Sequence, residues 1–388
     1  MNLNLIWNGI DHLVSRMASP RLFFSEGLGD HEFLRSLPVS TEVAAARVNI
    51  ESEEKGHGVI RRMASFSSPA PWLPEESSLG FMEMVIPDSS SHKLSSDTPV
   101  FIHFAATGDE TTLPRRLLIA EPLARKGIAS IILENPYYGK RRPAEQKDFV
   151  ISTISDQFKM NQATILEGVA LLKWLDSLGY SNLGVTGVSM GGSMAASVAA
   201  ATSLPVSVAA CIAPVGPGPA FCYGALSNRV DWQRLIPELN QYFPSKDAGE
   251  NSGNAPSEDS ANDFVVDTAQ SSFGTVLQES REDVGTVPRN SPEDAVDHPL
   301  PLAKRKLHRL MSVADLRNYS VPVDPSRAIL VGAHEDGYVP YRSVVALHEH
   351  WKGSLLRTVP GGHVSSVLLK GNVFRESIED LAFQKTGI

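Results

Sequence analysis

Three polar residues, Ser189, Asp336 and His363, follow one another along the chain in an order that suits nucleophilic acyl transfer. A serine hydroxyl is a poor nucleophile until an imidazole accepts its proton, and the imidazole needs a carboxylate that fixes its tautomer. In doubly wound hydrolases the chain order of these groups is serine, acid, histidine. The sequence therefore predicts a serine-dependent hydrolase that forms an acyl-enzyme.

The candidate nucleophile Ser189 lies between two glycines in the pattern Gly-x-Ser-x-Gly. An apolar run over 183–188 precedes it and an alanine-rich run over 193–200 follows it, which predicts a strand, a sharp turn and a helix. In that setting the pattern is typical of a nucleophile elbow, whose turn lifts the serine hydroxyl above the sheet. The five residues alone are a weak signal because glycine and serine are common. The flanking elements carry the prediction.

The candidate acid and base each follow an apolar run. Asp336 comes shortly after the run 328–332, and His363 follows the run 355–359 through two glycines. Glu335 and Asp324 compete with Asp336, but Asp324 precedes its strand and would lie at the wrong end of it. The turn sequence Asp-Gly-x-Val-Pro favours Asp336 over Glu335. A lone loop histidine is usually a surface residue, so His363 depends on the serine and acid upstream.

Acyl transfer also needs N–H donors directed at the developing oxyanion. The residue after the nucleophile, Met190, is predicted to supply one backbone N–H, and the loop after an earlier strand supplies the other. That loop contains Ala105 and Ala106, and the sequence does not choose between them. Arg141 and Arg142 are candidate contacts for an anionic substrate head group, with a solvated turn as the alternative.

Apolar runs that alternate with helical patterns position these loops. The predicted strands cover residues 80–86, 99–104, 128–133, 183–188, 206–212, 328–332 and 355–359. Helices are predicted over 112–126 and 156–178, near 341–350 and from 364 onward. This alternation indicates a mostly parallel, doubly wound sheet with helices on both faces, the α/β-hydrolase fold, with a small cap region near 220–243.

Four segments follow from these patterns. Residues 1–57 are predicted to form an N-terminal helical segment that packs on the body or lies on a membrane surface, because Leu3, Ile6, Ile10, Leu13 and Met17 recur at helical spacing. Residues 58–243 and 301–388 form the two parts of the hydrolase domain. Residues 244–300 form an acidic insertion that is predicted to be disordered, since they are polar and contain few large apolar side chains.

Composition excludes several functional classes. Between Ser245 and His298 there are twelve acidic and three basic residues, so this segment carries the whole net charge of −9 and nothing indicates nucleic-acid binding. Only two cysteines are present, no metal-ligand spacing is found, and no cofactor is expected. The chain shows no secretory signal and no transmembrane span, which predicts an intracellular protein of undetermined oligomeric state.

Several blocks together resemble one family, the α/β-hydrolase domain-containing protein 18 family. The blocks cover residues 101–109, 133–139 (Leu-Glu-Asn-Pro-Tyr-Tyr-Gly), 187–192, 321–325 (Val-Pro-Val-Asp-Pro) and 361–363. The resemblance implies a serine hydrolase with Ser189, Asp336 and His363 as its triad. It also implies a mitochondrial lipid ester as substrate, with deacylation of a cardiolipin-type phospholipid; without the resemblance we would expect a cytoplasmic protein. Ala106 stands where the family pattern suggests glycine.

Two other classes of function remain open at the level of the sequence. An acyltransferase would use the same acyl-enzyme and differ only in the acceptor that it admits. A non-catalytic hydrolase scaffold would bind a partner through the acidic insertion, although the intact triad argues against this reading. A less expected outcome is cofactor-free haloperoxidase chemistry on the same triad.

Overall fold

One nine-stranded sheet organises the chain. In the computed structural model the described residues are 3–18, 20–37, 42–56, 58–88, 94–244 and 299–384; of residues 3–6 and 299 only the backbone is described. The strands are β1 (Asn49–Gly56), β2 (Val59–Ser67), β3 (Leu79–Pro87), β4 (Val100–Phe104), β5 (Ala129–Leu133), β6 (Leu183–Val188), β7 (Ser207–Cys211), β8 (Ala328–Ala333) and β9 (Leu355–Val359). Their order in the sheet is β1-β2-β3-β5-β4-β6-β7-β8-β9.

Helices alternate with the strands from β4 onward. Before β4 lie α1 (Leu3–Ala18), α2 (His31–Arg35) and α3 (Glu75–Ser78). The others are α4 (Leu113–Arg115), α5 (Glu121–Ala124), α6 (Ile154–Ser177), α7 (Met190–Ala201), α8 (Pro217–Cys222), α9 (Trp232–Tyr242), α10 (Pro299–Met311), α11 (Tyr341–His350), α12 (His363–Leu369) and α13 (Gly371–Ala382). A π-helical turn over Arg116–Ala120 joins α4 to α5, where the sequence predicted one regular helix.

The predicted fold class is confirmed. Strands β4 to β9 pair in parallel, and β1, β2, β3 and β5 pair antiparallel at one end of the sheet. Alternate residues of β7 and β8 pack on opposite faces: Val208 and Leu330 join the core under α6, α7 and α11, whereas Ala209 and Ile329 join the core under α5 and α13. Burial on both faces explains why these strands read as continuous apolar runs.

A second apolar cluster forms a cap that is larger than the sequence suggested. It draws its side chains from residues 20–37, from α8 and α9, and from α10, and it packs on the first turns of α6. Phe23 and Phe221, for example, lie with ring centroids 5.3 Å apart although they come from distant parts of the chain. The predicted cap near 220–243 is therefore one of three contributing segments.

The segment 1–57 differs from its prediction as a helical segment, because it also contains strand β1. Every residue of β1 is exposed, so the strand has no apolar alternation that would reveal it; it forms by antiparallel pairing with β2. The predicted acidic insertion lies almost wholly outside the described residues. Among the described helices, none combines the length and the hydropathy needed to cross a bilayer.

Candidate active site

The candidate nucleophile Ser189 occupies a strained turn between β6 and α7. Its backbone has φ 58° and ψ −124°, a conformation that residues other than glycine rarely adopt. The adjacent glycines permit the turn: a Cβ on Gly187 would lie 2.3 Å from the carbonyl of Gly191, and one on Gly191 would lie 2.3 Å from the carbonyl oxygen of Phe104. The strand and the helix can approach this closely only because both positions lack a side chain. The turn therefore has the strained conformation of a nucleophile elbow, and its serine is half-buried.

The candidate acid and base are in direct contact. His363 Nδ1 lies 2.7 Å from Asp336 Oδ2, and both side chains are buried. The other carboxylate oxygen of Asp336 accepts the backbone N–H groups of Tyr338, at 2.8 Å, and Val339, at 2.7 Å. Asp336 accepts the Nδ1 proton, so Nε2 of His363 is left free to accept a proton from a nucleophile.

The two competing acids are bound elsewhere. Glu335 accepts the backbone N–H of Gly361 at 2.6 Å, so it joins the acid loop to the histidine loop without touching the imidazole. Asp324 caps the short turn before β8 by accepting the N–H of Ser326 at 3.1 Å. The structure thus places Asp336, and neither competitor, against His363.

Ser189 lies at the same edge of the sheet as this pair. Strands β4, β6, β8 and β9 run parallel, and Ala105, Ser189, Asp336 and His363 all follow their carboxyl ends. Within the described ranges Ser189 Oγ makes no hydrogen bond to His363. Contacts of this kind are often long in a free enzyme and tighten when substrate binds. The assignment of Ser189 as the nucleophile of this histidine stays a prediction.

The predicted oxyanion loop packs directly against the elbow. Met190 is the first residue of α7, where backbone N–H groups have no partner within the helix. Ala105 is fully buried and Ala106 is half-buried at the end of β4, and the Cβ position of Gly191 would touch the backbone of Phe104 and Ala105. The loop is thus close enough to supply a second donor. The choice between Ala105 and Ala106 stays open.

A buried ion pair supports this loop from below. Arg115 Nε lies 2.6 Å from Asp109 Oδ2, and Arg115 Nη1 donates to the carbonyl oxygens of His103, at 2.9 Å, and Leu133, at 2.7 Å. Burial raises the pKa of Asp109 by more than Arg115 lowers it. Burial also lowers the pKa of His103 to about 3, and its Nε2 lies 3.0 Å from Ser130 Oγ. His103 is therefore neutral and structural.

The proposed head-group role of Arg141 is wrong, because its guanidinium does not reach the solvent. The side chains of Arg141 and Glu167 are both fully buried, and two hydrogen bonds join them. Arg141 also donates to the carbonyl oxygens of Ser77 and Glu134, each at 2.7 Å. Arg142 is partly exposed but pairs with Glu110. Arg141 is a structural cation that ties the loop after β5 to helix α6.

Two residues near the triad were missed from the sequence. The ring of Tyr338 stacks on the imidazole of His363 with a centroid distance of 4.8 Å, and burial raises the pKa of Tyr338 to about 12, so the phenol stays neutral. Asp11 of α1 accepts the backbone N–H of His363 at 2.8 Å. Neither residue carries a local signal, because each acts through a contact made only after folding.

No metal site accompanies these groups in the part of the chain that is described. There, no three His, Cys, Asp or Glu side chains come together in a way that could hold an ion. Cys211 and Cys222 are buried free thiols, and burial raises the pKa of Cys222 to about 12. The chemistry available at this edge of the sheet is that of the serine, the imidazole, the carboxylate and the backbone donors.

Comparison with solved structures agrees with this fold. An acetyl xylan esterase from Paenibacillus sp. R4 superposes with a TM-score of 0.51 at 12% identity, over 98% of this chain and 94% of that one. The cell wall degrading esterase LipA from Xanthomonas oryzae gives a TM-score of 0.49 at 12% identity, over 89% of this chain and all of the other. At this identity the first of these likenesses shows the fold alone.

A family comparison goes further than the structural one. Residues 21–385 match the family described as alpha/beta hydrolase domain containing 18, which confirms the resemblance seen in the sequence blocks. The match spans nearly the whole described chain and begins after helix α1. The protein belongs to the alpha/beta hydrolase domain containing 18 family.

Proposed function

We propose that this protein is a serine-dependent carboxylic ester hydrolase. The observation that carries the proposal is the 2.7 Å contact between His363 Nδ1 and Asp336 Oδ2, at the sheet edge where Ser189 occupies its strained turn. A carboxylate that holds an imidazole in one tautomer activates a hydroxyl nucleophile beside it. Membership of a hydrolase family and an esterase-like fold support the same reaction class.

In the proposed reaction, His363 Nε2 accepts the Ser189 proton as Ser189 Oγ attacks the ester carbonyl carbon. The N–H of Met190 and one N–H from Ala105 or Ala106 stabilise the negative oxygen of the tetrahedral intermediate. The carbon–oxygen bond of the ester breaks, and the imidazolium returns its proton to the departing alcohol. Water then attacks the acyl-enzyme with His363 again as base, which releases the acid and restores Ser189.

A fluorophosphonate probe tests the nucleophile. Such a probe should label the wild type and leave Ser189→Ala unlabelled. Ser197→Ala is the matched control, because it removes a hydroxyl from α7 that only donates to the carbonyl oxygen of Ser193; it should label as the wild type does. Asp336→Asn should lose on the order of 10³–10⁴-fold in turnover, since the imidazole loses its correct tautomer. Equal labelling of Ser189→Ala and the wild type would refute the assignment.

For the substrate we propose a lipid ester. Helix α12 begins at His363 and ends in Leu368 and Leu369, which are 75% and 67% exposed. Leu13 and Met17 of α1, a helix that contacts α12, are also exposed. Exposed apolar side chains close to a hydrolytic site suit a water-insoluble substrate or a lipid surface. The family resemblance extends this proposal to a cardiolipin-type phospholipid and a mitochondrial location.

Vesicles test the substrate and the surface together. We expect the wild type to release fatty acid from vesicles that contain cardiolipin, faster than from phosphatidylcholine alone, and Ser189→Ala to release none. Met17→Ser should lower the rate on vesicles and leave the rate on a short soluble ester unchanged if α1 makes peripheral membrane contact. An equal loss on both substrates would contradict that contact, and hydrolysis of the soluble ester alone would contradict the lipid substrate.

A further inference from the structure

The N-terminal helix α1 reaches the candidate active site through one buried carboxylate. Asp11 is fully buried, and its Oδ2 accepts the backbone N–H groups of Gly337, at 2.9 Å, and His363, at 2.8 Å. Its Oδ1 accepts the N–H of Val364 at 2.9 Å. Gly337 follows Asp336 directly, so a single side chain from the start of the chain binds both the acid loop and the histidine loop.

The two loops are shaped to receive this carboxylate. A Cβ on Gly362 would lie 2.7 Å from Asp11 Oδ2, and a Cβ on Gly337 would lie 3.0 Å from Asp11 Cβ, so both glycines leave the space that Asp11 fills. Gly362 precedes α12 and has no side chain to accept that helix's first N–H groups. Asp11 accepts them instead, with charge-assisted hydrogen bonds that are stronger than neutral ones.

The packing face of α1 is polar, which corrects the expectation from its apolar spacing. Asp11 and Ser15, four residues apart, are the buried side chains of the helix, whereas Leu13 and Met17 are 57% and 75% exposed. Ser15 Oγ donates to the carbonyl oxygen of Ala225 at 3.1 Å. A helix held in this way buries little apolar area and depends on directional hydrogen bonds. Such contacts fix the relative position of the groups that they join.

We propose that Asp11 is a positioning residue for the triad: it holds the backbones of the acid loop and the histidine loop so that Asp336 Oδ2 meets His363 Nδ1. This inference rests on the proposed serine hydrolase function. Asp11 touches neither the substrate nor the reacting atoms, and it acts through the peptide groups of Gly337 and His363. Because a displacement of about 1 Å from the reacting geometry can cost roughly 100-fold in rate, loss of these bonds should reach the chemical step.

Full-length Asp11→Ala and Asp11→Asn test the proposal with a soluble ester and the fluorophosphonate probe. We expect Asp11→Ala to lower kcat and the labelling rate by roughly 10- to 100-fold, with KM changed less than about twofold. Asp11→Asn should be intermediate, because its amide oxygen still accepts N–H groups while its amide nitrogen cannot. The matched control is Asp324→Ala, which removes a carboxylate that caps backbone at the opposite end of β8; its kcat should equal the wild-type value.

Hydrogen exchange gives a second readout that does not depend on activity. In Asp11→Asn, amides in peptides that cover Gly337 and 362–364 should exchange faster, and those of β8 should exchange as in the wild type. A folded Asp11→Asn with wild-type kcat and wild-type exchange would overturn the proposal, as would a raised KM with unchanged kcat. If the wild type itself neither labels nor turns over, the proposed function fails, and the exchange result alone decides whether Asp11 holds the two loops.

Discussion

Removing the charge of Glu167 should destabilise the protein strongly without changing substrate affinity. Glu167 is the counter-ion of Arg141, both side chains are fully buried, and the guanidinium keeps its bonds to the carbonyl oxygens of Ser77 and Glu134 when the charge is lost. Breaking a buried ion pair by removing one partner typically costs about 3–5 kcal/mol, because the remaining charge stays uncompensated in the interior. For Glu167→Gln we therefore expect a loss of about 3–5 kcal/mol in the free energy of unfolding.

The assay is thermal and urea unfolding, combined with steady-state kinetics below the transition. At about 2 °C per kcal/mol for a chain of this size, Tm should fall by roughly 6–10 °C. The matched control is Glu110→Gln, which breaks the partly exposed pair with Arg142. Pairs nearer the surface contribute about 0–1 kcal/mol, so the control should shift Tm by no more than about 2 °C.

The double variant sharpens this test. Arg141→Met combined with Glu167→Leu removes both charges, and apolar side chains of similar volume often replace a buried pair at little cost. It should recover most of the stability lost in Glu167→Gln. Two results would refute the reasoning: a Glu167→Gln protein as stable as the wild type, or an Arg141→Met protein with wild-type Tm and a raised KM for anionic esters. The second result would restore the head-group role for Arg141.

Two further predictions follow from the packing around the elbow. Since His103 is neutral when folded, with a pKa of about 3, and gains a proton near pH 6.5 when unfolded, acid should destabilise the wild type by up to about 1.4 kcal/mol per pH unit below pH 6.5; in urea titrations His103→Gln should lack this contribution, and parallel pH curves would contradict it. Gly191→Ala should lose about 1–3 kcal/mol or more of stability together with activity, because its Cβ would lie 2.3 Å from the Phe104 carbonyl oxygen, whereas Gly9→Ala in open helix should gain about 1 kcal/mol.

Local pattern was sufficient for the sheet and for the order of the candidate groups. The central strands are buried on both faces, so their apolar runs stand out, and each parallel strand delivers the loop that follows it to the same edge. That is why Ser189, Asp336 and His363 could be predicted as one site from three separate stretches. The glycines around Ser189 gave a further local signal, because the close approach of strand and helix leaves no room for a side chain.

Other features depend on contacts between distant parts of the chain. Arg141 and Arg142 are adjacent in sequence, yet only the fold buries Arg141, opposite Glu167 on α6. Strand β1 has no apolar alternation and exists through its pairing with β2. Asp11 lies 352 residues from His363, and its three acceptor contacts are with backbone N–H groups, which leave no trace in side-chain patterns. The sequence by itself determined which groups could react and in what order they lie; the tertiary structure decided which charges are buried and which helix holds the reacting loops, because burial and hydrogen-bond geometry arise only when the chain has folded.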